Sequence, residues 1–160
     1  LRAFAEVKQR SPNTELLIVG RGNLKKRLIK QAKRLGISSS IRIDSGMPFD
    51  KLAEEFRNAD LVVYPSYYEG QGLIPLEAMA SGTPVATVDH GPLPEMVDDS
   101  VGGLFTMADI DSMSSVILSL LSDPKGLEAR SKAGRQRVLQ NFTFGQNAEG
   151  FSQIYLQLAK

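Results

Sequence analysis

The segment Tyr64-Pro-Ser-Tyr-Tyr-Glu-Gly-Gln-Gly-Leu-Ile-Pro-Leu-Glu-Ala-Met-Ala-Ser-Gly-Thr-Pro84 indicates the fold of the chain. It follows the apolar run Leu61–Tyr64, which Pro65 halts, and it precedes a second apolar run, Pro84–Val88. Between these runs the pattern predicts a helix from about Gly72 to Ser81, ended by Gly82. A strand, a helix and a strand in this order predict a βαβ unit with parallel strands.

The same alternation continues on both sides of this segment and predicts strands at 15–19, 41–43, 61–64, 84–88 and 103–105. Predicted helices cover 1–10, 24–35, 50–57, 72–81, 110–121, 125–141 and 146–158. In the second of these helices we expect Leu24, Leu28, Ala32 and Leu35 to point inward, and in the third we expect Asp50 to be the cap. The pattern predicts one α/β domain over residues 1–160, with a Rossmann-like, doubly wound parallel sheet and helices on both faces.

Composition narrows the function classes. A length of 160 residues suits one domain, and 19 Lys and Arg against 18 Asp and Glu leave a net charge of +1, which does not indicate a nucleic-acid partner. The absence of cysteine excludes disulfides, a thiol nucleophile and cysteine-ligated metals, and a single histidine excludes a multi-histidine metal site. No apolar run approaches the roughly 20 residues of a spanning helix, so we expect a cytoplasmic protein.

Ligands of parallel α/β sheets bind beyond the carboxyl ends of the strands, which directs attention to the loops at 20–23, 44–49, 65–73 and 89–95. Glu69-Gly-Gln-Gly72 leads into a helix, and free N–H groups from Gly70 to Ile74 would attract an anion. With Glu69 before the helix and Glu77 one turn into it, the arrangement fits a phosphate flanked by hydroxyl-bearing rings, as in a nucleotide-sugar. Alternatively, Glu69 only compensates the helix dipole and Glu77 is a solvated helical residue.

The order of these residues is similar to a family signature. Glu69, seven residues and Glu77, within Pro65-Ser66…Glu69-Gly-x-Gly-Leu73…Leu76-Glu-Ala-Met-Ala-x-Gly-x-Pro-Val85, resemble the motif of retaining GT-B glycosyltransferases of family 4, glycosyl transferases group 1. Shorter blocks that resemble the same family lie at 17–22, 44–46, 94–97 and 141–144. The resemblance covers nearly the whole chain.

By this resemblance, the chain would be the C-terminal, donor-binding domain of such an enzyme. Glu69 would contact hydroxyls of the donor sugar and Glu77 the ribose. The other donor-binding residues implied are the diphosphate-contacting Gly70, Gln71, Gly72, Leu73 and Ile74, the base-bordering Met47 and Pro48, and the strand-end turn residues Gly20 and Gly22. The family moves a sugar from a nucleotide diphosphate to an acceptor hydroxyl with retention, typically without a metal or other cofactor, and uses the leaving phosphate to help deprotonate the acceptor.

The chain also departs from the family pattern. The strand that carries an Arg and a Lys for the diphosphate is missing, and Arg21 and Lys25 do not match their positions. By the same resemblance, we expect residues 1–160 to lack the acceptor-binding N-terminal domain and therefore to transfer no sugar alone. Without the first strand, either the strands at 16–19 and 61–64 pair directly or a segment outside this sequence fills the slot between them.

Other interpretations stay open. A sugar-nucleotide-binding module without chemistry, or a GT-B sugar-nucleotide epimerase, would carry the same features, whereas a dehydrogenase is disfavoured because Gly20-Arg-Gly22 lacks a third glycine. We interpret Asp109 as a helix cap, not a metal ligand, and expect no metal site. The basic residues of the helix at 24–35 indicate either a solvated face or peripheral contact with an anionic membrane, which would suit a lipid-linked acceptor.

Overall fold

The computed structural model describes residues 1–159 of the chain. Its elements, in chain order, are α1 (Arg2–Arg10), β1 (Leu16–Val19), α2 (Lys25–Arg34), a 3₁₀ turn (Ser38–Ser40), β2 (Ile41–Asp44), α3 (Phe49–Asn58), β3 (Val62–Tyr64), α4 (Leu73–Ala80), β4 (Val85–Val88), α5 (Leu93–Met96), β5 (Gly102–Phe105), α6 (Ile110–Leu121), α7 (Pro124–Asn141) and α8 (Phe144–Leu158). The predicted strands are confirmed to within about a residue or two, and so are most helix boundaries.

The paired strands are parallel and form two sheets. One sheet pairs β1 with β2, and the other has the order β3-β4-β5. The direct pairing of β1 with β3, one of the two arrangements considered from the sequence, is therefore wrong. The α/β fold with parallel strands and flanking helices is as predicted, while the described strands form two sheets instead of one.

The second sheet contains the deepest part of the core. Every residue of β4 is buried, and Met79 of α4 and Val138 of α7 belong to one apolar cluster with Val85. A second cluster joins Val88 to Phe105 of β5 and Leu120 of α6. Because the strand is covered on both sides, its sequence is continuously apolar except for a buried threonine.

Helices connect the two sheets. Ser114 of α6 donates a hydrogen bond to the Glu6 carboxylate of α1, with an Oγ–Oε2 distance of 2.6 Å. A second connection runs through α3. Its residue Phe56 packs in the core of the second sheet, and the Phe56 carbonyl oxygen accepts a hydrogen bond from the buried Thr83 hydroxyl. The two sheets are thus held in one molecule by side-chain packing across α1 and α3.

Two predicted side-chain positions, those of Leu24 and Asp50, are wrong, and the predicted Asp109 cap is confirmed. Leu24 was expected to point inward, but it precedes α2 at the N-cap and its surface is 54% exposed. Asp50 was expected to cap α3, but the helix begins one residue earlier, after Pro48, and Asp50 lies within its first turn. The Asp109 cap of α6 is confirmed, because its side chain accepts a hydrogen bond from the Ser112 N–H at 2.9 Å.

The last helix, α8, contributes no buried residue to the described structure. It begins with a capping box in which Thr143 and Gln146 bond to each other's backbone N–H groups. Its large apolar side chains are exposed, namely Phe144, Phe151, Ile154, Tyr155, Leu156 and Leu158. Among the described helices, none has both the length and the apolar composition that crossing a membrane requires.

Candidate functional site

The loop between β3 and α4 lies at the carboxyl edge of the second sheet, where the sequence predicted a site. Tyr64 ends β3, and α4 begins at Leu73 directly after Gly72. Gly72 has φ +81°, a left-handed conformation that other residues rarely adopt. A Cβ at this position would lie 2.9 Å from Leu93 Cδ2 and 3.3 Å from Met96 Sδ. The turn into α4 therefore packs on α5, and only glycine fits it without displacement.

Glu69 is bonded within this loop. Its Oε2 accepts a hydrogen bond from the Tyr64 hydroxyl at 2.5 Å, and its Oε1 lies 3.1 Å from the N of Gly70 and 3.4 Å from the N of Gln71. These donors hold the pKa of Glu69 below its ordinary value, the Tyr64 hydroxyl contributing most and the Gly72 N–H next. Burial, followed by the bond to Glu69, raises the pKa of Tyr64.

This geometry refines the predicted anion cradle. The N–H groups of Gly70 and Gln71 were expected to face a diphosphate, but here both donate to Glu69. The N–H groups of Leu73 and Ile74, in the first turn of α4, have no acceptor among the hydrogen bonds of the described residues. The first turn of the helix is thus where a ligand anion would find free donors.

The tip of α4 is accessible. Gly70 and Gln71 are exposed, and 56% of the Leu73 surface is exposed. No side chain caps this helix, and its third residue, Pro75, has no N–H to satisfy. The half-buried Glu77 lies one turn beyond Leu73 in α4, and none of the hydrogen bonds of the described residues involves its carboxylate. An anion could therefore approach the helix tip from solvent.

The loops that follow β1 and β2 form a second group. The N–H of Gly20 donates to the carbonyl of Asp44 at 3.0 Å, and the side chain of Arg21 packs against Gly46. Met47 is half-buried in the same loop, and the exposed Pro48 precedes α3.

Gly22 is exposed in the turn, with space around it, and Lys25 donates to the Ser45 hydroxyl at 3.1 Å. The structure therefore brings Gly20, Met47 and Pro48 into one cluster of loops. The hydrogen bonds of residues 1–159 do not join this cluster to the Glu69 loop.

Residues that the sequence did not single out support the Glu69 loop. Arg137 of α7 donates to the Met96 carbonyl at 3.1 Å and to the Asp98 carboxylate at 2.8 Å. The Arg137 guanidinium, together with Ser100, lowers the pKa of Asp98 to about 2. Because Met96 is one of the two residues against which Gly72 packs, Arg137 helps to hold the surface on which the turn rests.

The sequence did not indicate the Arg137 contacts, since the bonded residues are far apart in the chain, and it marked residues 94–97 only as a family-like block and not as the short helix α5. The described residues contain no group of three or more His, Cys, Asp or Glu side chains placed to hold a metal ion. His90 lies exposed in the loop after β4.

Comparison with protein families gives a match over most of the chain. The family model described as Glycosyl transferases group 1 matches residues 1–137. A curated relative, the glycogen synthase of Mycobacterium tuberculosis, is 31% identical over 157 residues, which are 98% of this chain and 38% of the relative. The chain thus spans less than two-fifths of the length of that relative.

Solved structures share the fold. The sucrose-phosphate synthase of Thermosynechococcus elongatus superposes with a TM-score of 0.85 at 27% identity, over 98% of this chain and 41% of that chain. The C-terminal domain of a glycosyl transferase group 1 family protein from Francisella tularensis superposes with a TM-score of 0.80 at 27% identity. The match covers 89% of this chain and 77% of the other. Anabaena HepE, which was solved in complex with UDP, superposes with a TM-score of 0.81 at 25% identity, over 94% of this chain and 44% of that chain.

Proposed function

The chain belongs to the glycosyl transferases group 1 family, and we propose that it is the nucleotide-sugar-binding domain of a retaining glycosyltransferase. The observation that carries the proposal is the exposed tip of α4, where the Leu73 and Ile74 N–H groups have no acceptor within the described structure. A helix N-terminus carries about half a positive charge and suits a diphosphate. Glu69 before the tip and Glu77 after it supply acceptors for sugar hydroxyls.

The relatives support this assignment. HepE was solved with UDP, and the Francisella tularensis structure is described as a C-terminal domain of a group 1 protein. The match of this chain to 38% of the glycogen synthase is consistent with one domain of a longer enzyme. We propose that an N-terminal domain of that enzyme would supply the acceptor site, and that residues 1–160 alone transfer no sugar.

In the proposed mechanism, the α4 tip holds the diphosphate of the donor. As the bond between sugar and phosphate breaks, negative charge grows on the departing diphosphate, and the Leu73 and Ile74 N–H groups together with the helix dipole stabilise it. The leaving phosphate helps to deprotonate the acceptor hydroxyl, so neither a metal nor another cofactor is needed. Glu77 accepts hydrogen bonds from the ribose.

Glu69 is assigned to the sugar end of the donor, where its carboxylate accepts hydrogen bonds from the sugar hydroxyls. When Glu69 turns to these hydroxyls, the Gly70, Gln71 and Gly72 N–H groups become free for the donor. At the other end of the ligand, Met47 and Pro48 border the base, and the Gly20 and Gly22 turn lies in the same cluster of loops. Catalysis would then rest on positioning and on charge stabilisation.

The proposal also covers the location of the whole protein, which we place in the cytoplasm, with α2 as a contact to the inner face of the membrane. This helix presents exposed cations on its surface, and the apolar side chains of Leu24 and Ile29 beside them are 54% and 53% exposed. Such a surface attracts anionic headgroups, each basic residue contributing about 1 kcal/mol close to the membrane. Sedimentation with phosphatidylserine vesicles at physiological salt tests this contact. If the protein stays in the supernatant, the proposed membrane contact is wrong.

Donor binding is tested by NMR titration of the chain with UDP, GDP and ADP, each with and without its sugar. We expect at least one nucleotide to shift the amide signals of Leu73 and Ile74, a readout that also detects weak binding. Glu77→Gln should weaken nucleotide binding about tenfold, and Glu69→Gln should remove the gain in affinity that the sugar brings. Glu149→Gln, an exposed change on α8, is the matched control. The proposal fails if no nucleotide shifts these signals in the folded protein.

A further inference from the structure

Tyr64 connects the core of the second sheet to the Glu69 loop. Its backbone is paired in register with Thr87 of β4, and the buried Thr87 hydroxyl donates to the Tyr64 carbonyl at 2.9 Å. Its half-buried ring packs against both apolar clusters of the second sheet. The position of the Tyr64 hydroxyl is therefore defined by the core of the protein.

The loop that carries Glu69 has little support of its own. The side chains of Tyr67 and Tyr68 are 67% and 92% exposed, and Gly70 and Gln71 are exposed as well. Within the described structure, the carboxylate of Glu69 is bonded by its own loop and by one group outside it, the Tyr64 hydroxyl at 2.5 Å. A carboxylate on an exposed loop is thus tied to a rigid strand end.

We propose that Tyr64 is a positioning residue, which holds the Glu69 carboxylate in the orientation from which it meets the hydroxyl groups of the donor sugar. The proposal deepens the assigned function and rests on it for the identity of the ligand. Tyr64 contacts Oε2 and leaves Oε1 on the Gly70 and Gln71 N–H groups. The sugar hydroxyls can therefore replace these weaker N–H contacts while the bond to Tyr64 persists.

Removing the Tyr64 hydroxyl should have two effects. The carboxylate would keep only the backbone N–H donors of its own loop and would sample more side-chain rotamers. The pKa of Glu69 would also rise, because the Tyr64 hydroxyl contributes most to its depression and the other groups that lower it are the backbone N–H groups of Gly70, Gln71 and Gly72. Tyr64→Phe retains the aromatic ring. If Tyr64 served only for packing, this substitution would therefore change neither the orientation nor the pKa of Glu69.

The experiment follows the carboxyl carbon of Glu69 by NMR as a function of pH in the wild-type chain, in Tyr64→Phe and in the control Tyr68→Phe. We expect a higher pKa of Glu69 in Tyr64→Phe and an unchanged one in Tyr68→Phe, whose side chain is 92% exposed. The reciprocal variant, Glu69→Gln, keeps the core intact and should lower the pKa of Tyr64, because the carboxylate raises it. If neither variant moves the titration of the other residue, the proposal is overturned.

Donor titrations complete the test. Tyr64→Phe should reduce about tenfold the extra affinity that the sugar brings to the nucleotide, and combining it with Glu69→Gln should cause no further loss. Independent, additive losses would mean that Tyr64 acts on the sugar without Glu69, which contradicts a positioning role. A third outcome separates the two proposals. If each variant shifts the pKa of the other residue but the wild-type chain binds no nucleotide, the role of Tyr64 in holding Glu69 stands and the proposed function fails.

Discussion

Replacing Gly72 with alanine should destabilise the protein and displace the tip of α4. The backbone at this position has φ +81°, which costs about 1–2 kcal/mol for a residue with a side chain. The new methyl group would also lie 2.9 Å from Leu93 Cδ2 and 3.3 Å from Met96 Sδ. Leu93 and Met96 are 1% and 4% exposed, so they have little room to move, and overpacking of this kind costs about 1–3 kcal/mol. Together these costs predict a loss of about 3 kcal/mol in the free energy of unfolding.

The loss is measured by urea unfolding followed by circular dichroism, with Gly70→Ala as the matched control. Gly70 lies in the same loop without a positive φ, and an added Cβ there would have no neighbour within 4 Å. We expect Gly70→Ala to change the unfolding free energy by less than about 0.5 kcal/mol. For Gly72→Ala we expect a melting temperature lower by about 6–12 °C. Equal stabilities of the two variants would refute the packing of Gly72 against α5.

Three further predictions concern other parts of the fold. Asp98→Asn should lower the unfolding free energy by about 1 kcal/mol at pH 7, because it removes the ion pair with Arg137. The loss is small because solvent screens this half-exposed pair. Since the folded pKa of Asp98 is about 2 and its ordinary value is 3.8, the ion pair stabilises the protein above pH 3.8 and ceases to do so as the pH falls through 2. Urea titrations should therefore show wild type and variant converging over that interval, and a constant difference would contradict the ion pair. Gly102→Ala would place a Cβ 1.9 Å from the carbonyl oxygen of Val85 and should cost about 3 kcal/mol or more by the same assay. Gly150→Ala, with open space around it in the interior of α8, should not destabilise the protein and should favour the helix by about 0.5–1 kcal/mol. Thr143→Ala removes the capping box of α8 and should lower the stability of that helix by about 1 kcal/mol, seen as reduced helical ellipticity, whereas Thr143→Ser should not.

The sequence predicts those parts of the fold that depend on local patterns. The apolar runs predict the five strands, and glycine and proline positions place the limits of α4 within a residue. Leu24 was misassigned because helical periodicity places it on the apolar stripe of α2, whereas it lies at the N-cap before the helix and is 54% exposed. Asp50 was misassigned because a carboxylate is equally favourable as a cap and in the first helical turn.

The candidate site is only partly encoded in such patterns. The loop, its glycines and Glu69 follow from the motif, and so does the exposed tip of α4. The bond between Tyr64 and Glu69 depends on how an exposed loop folds back on the end of β3, and no periodicity describes that path. The support from Arg137 depends on tertiary packing between α7 and the segment after α5, which no local sequence pattern describes.

The contact between α1 and α6 has a practical consequence. Ser114 of α6 donates to the Glu6 carboxylate of α1, so this helix pair ties the strand pair β1-β2 to the sheet β3-β4-β5. A covalent crosslink through engineered cysteines, one in α1 and one in α6, would act at this contact and would leave the loops at Met47 and at Glu69 unaltered.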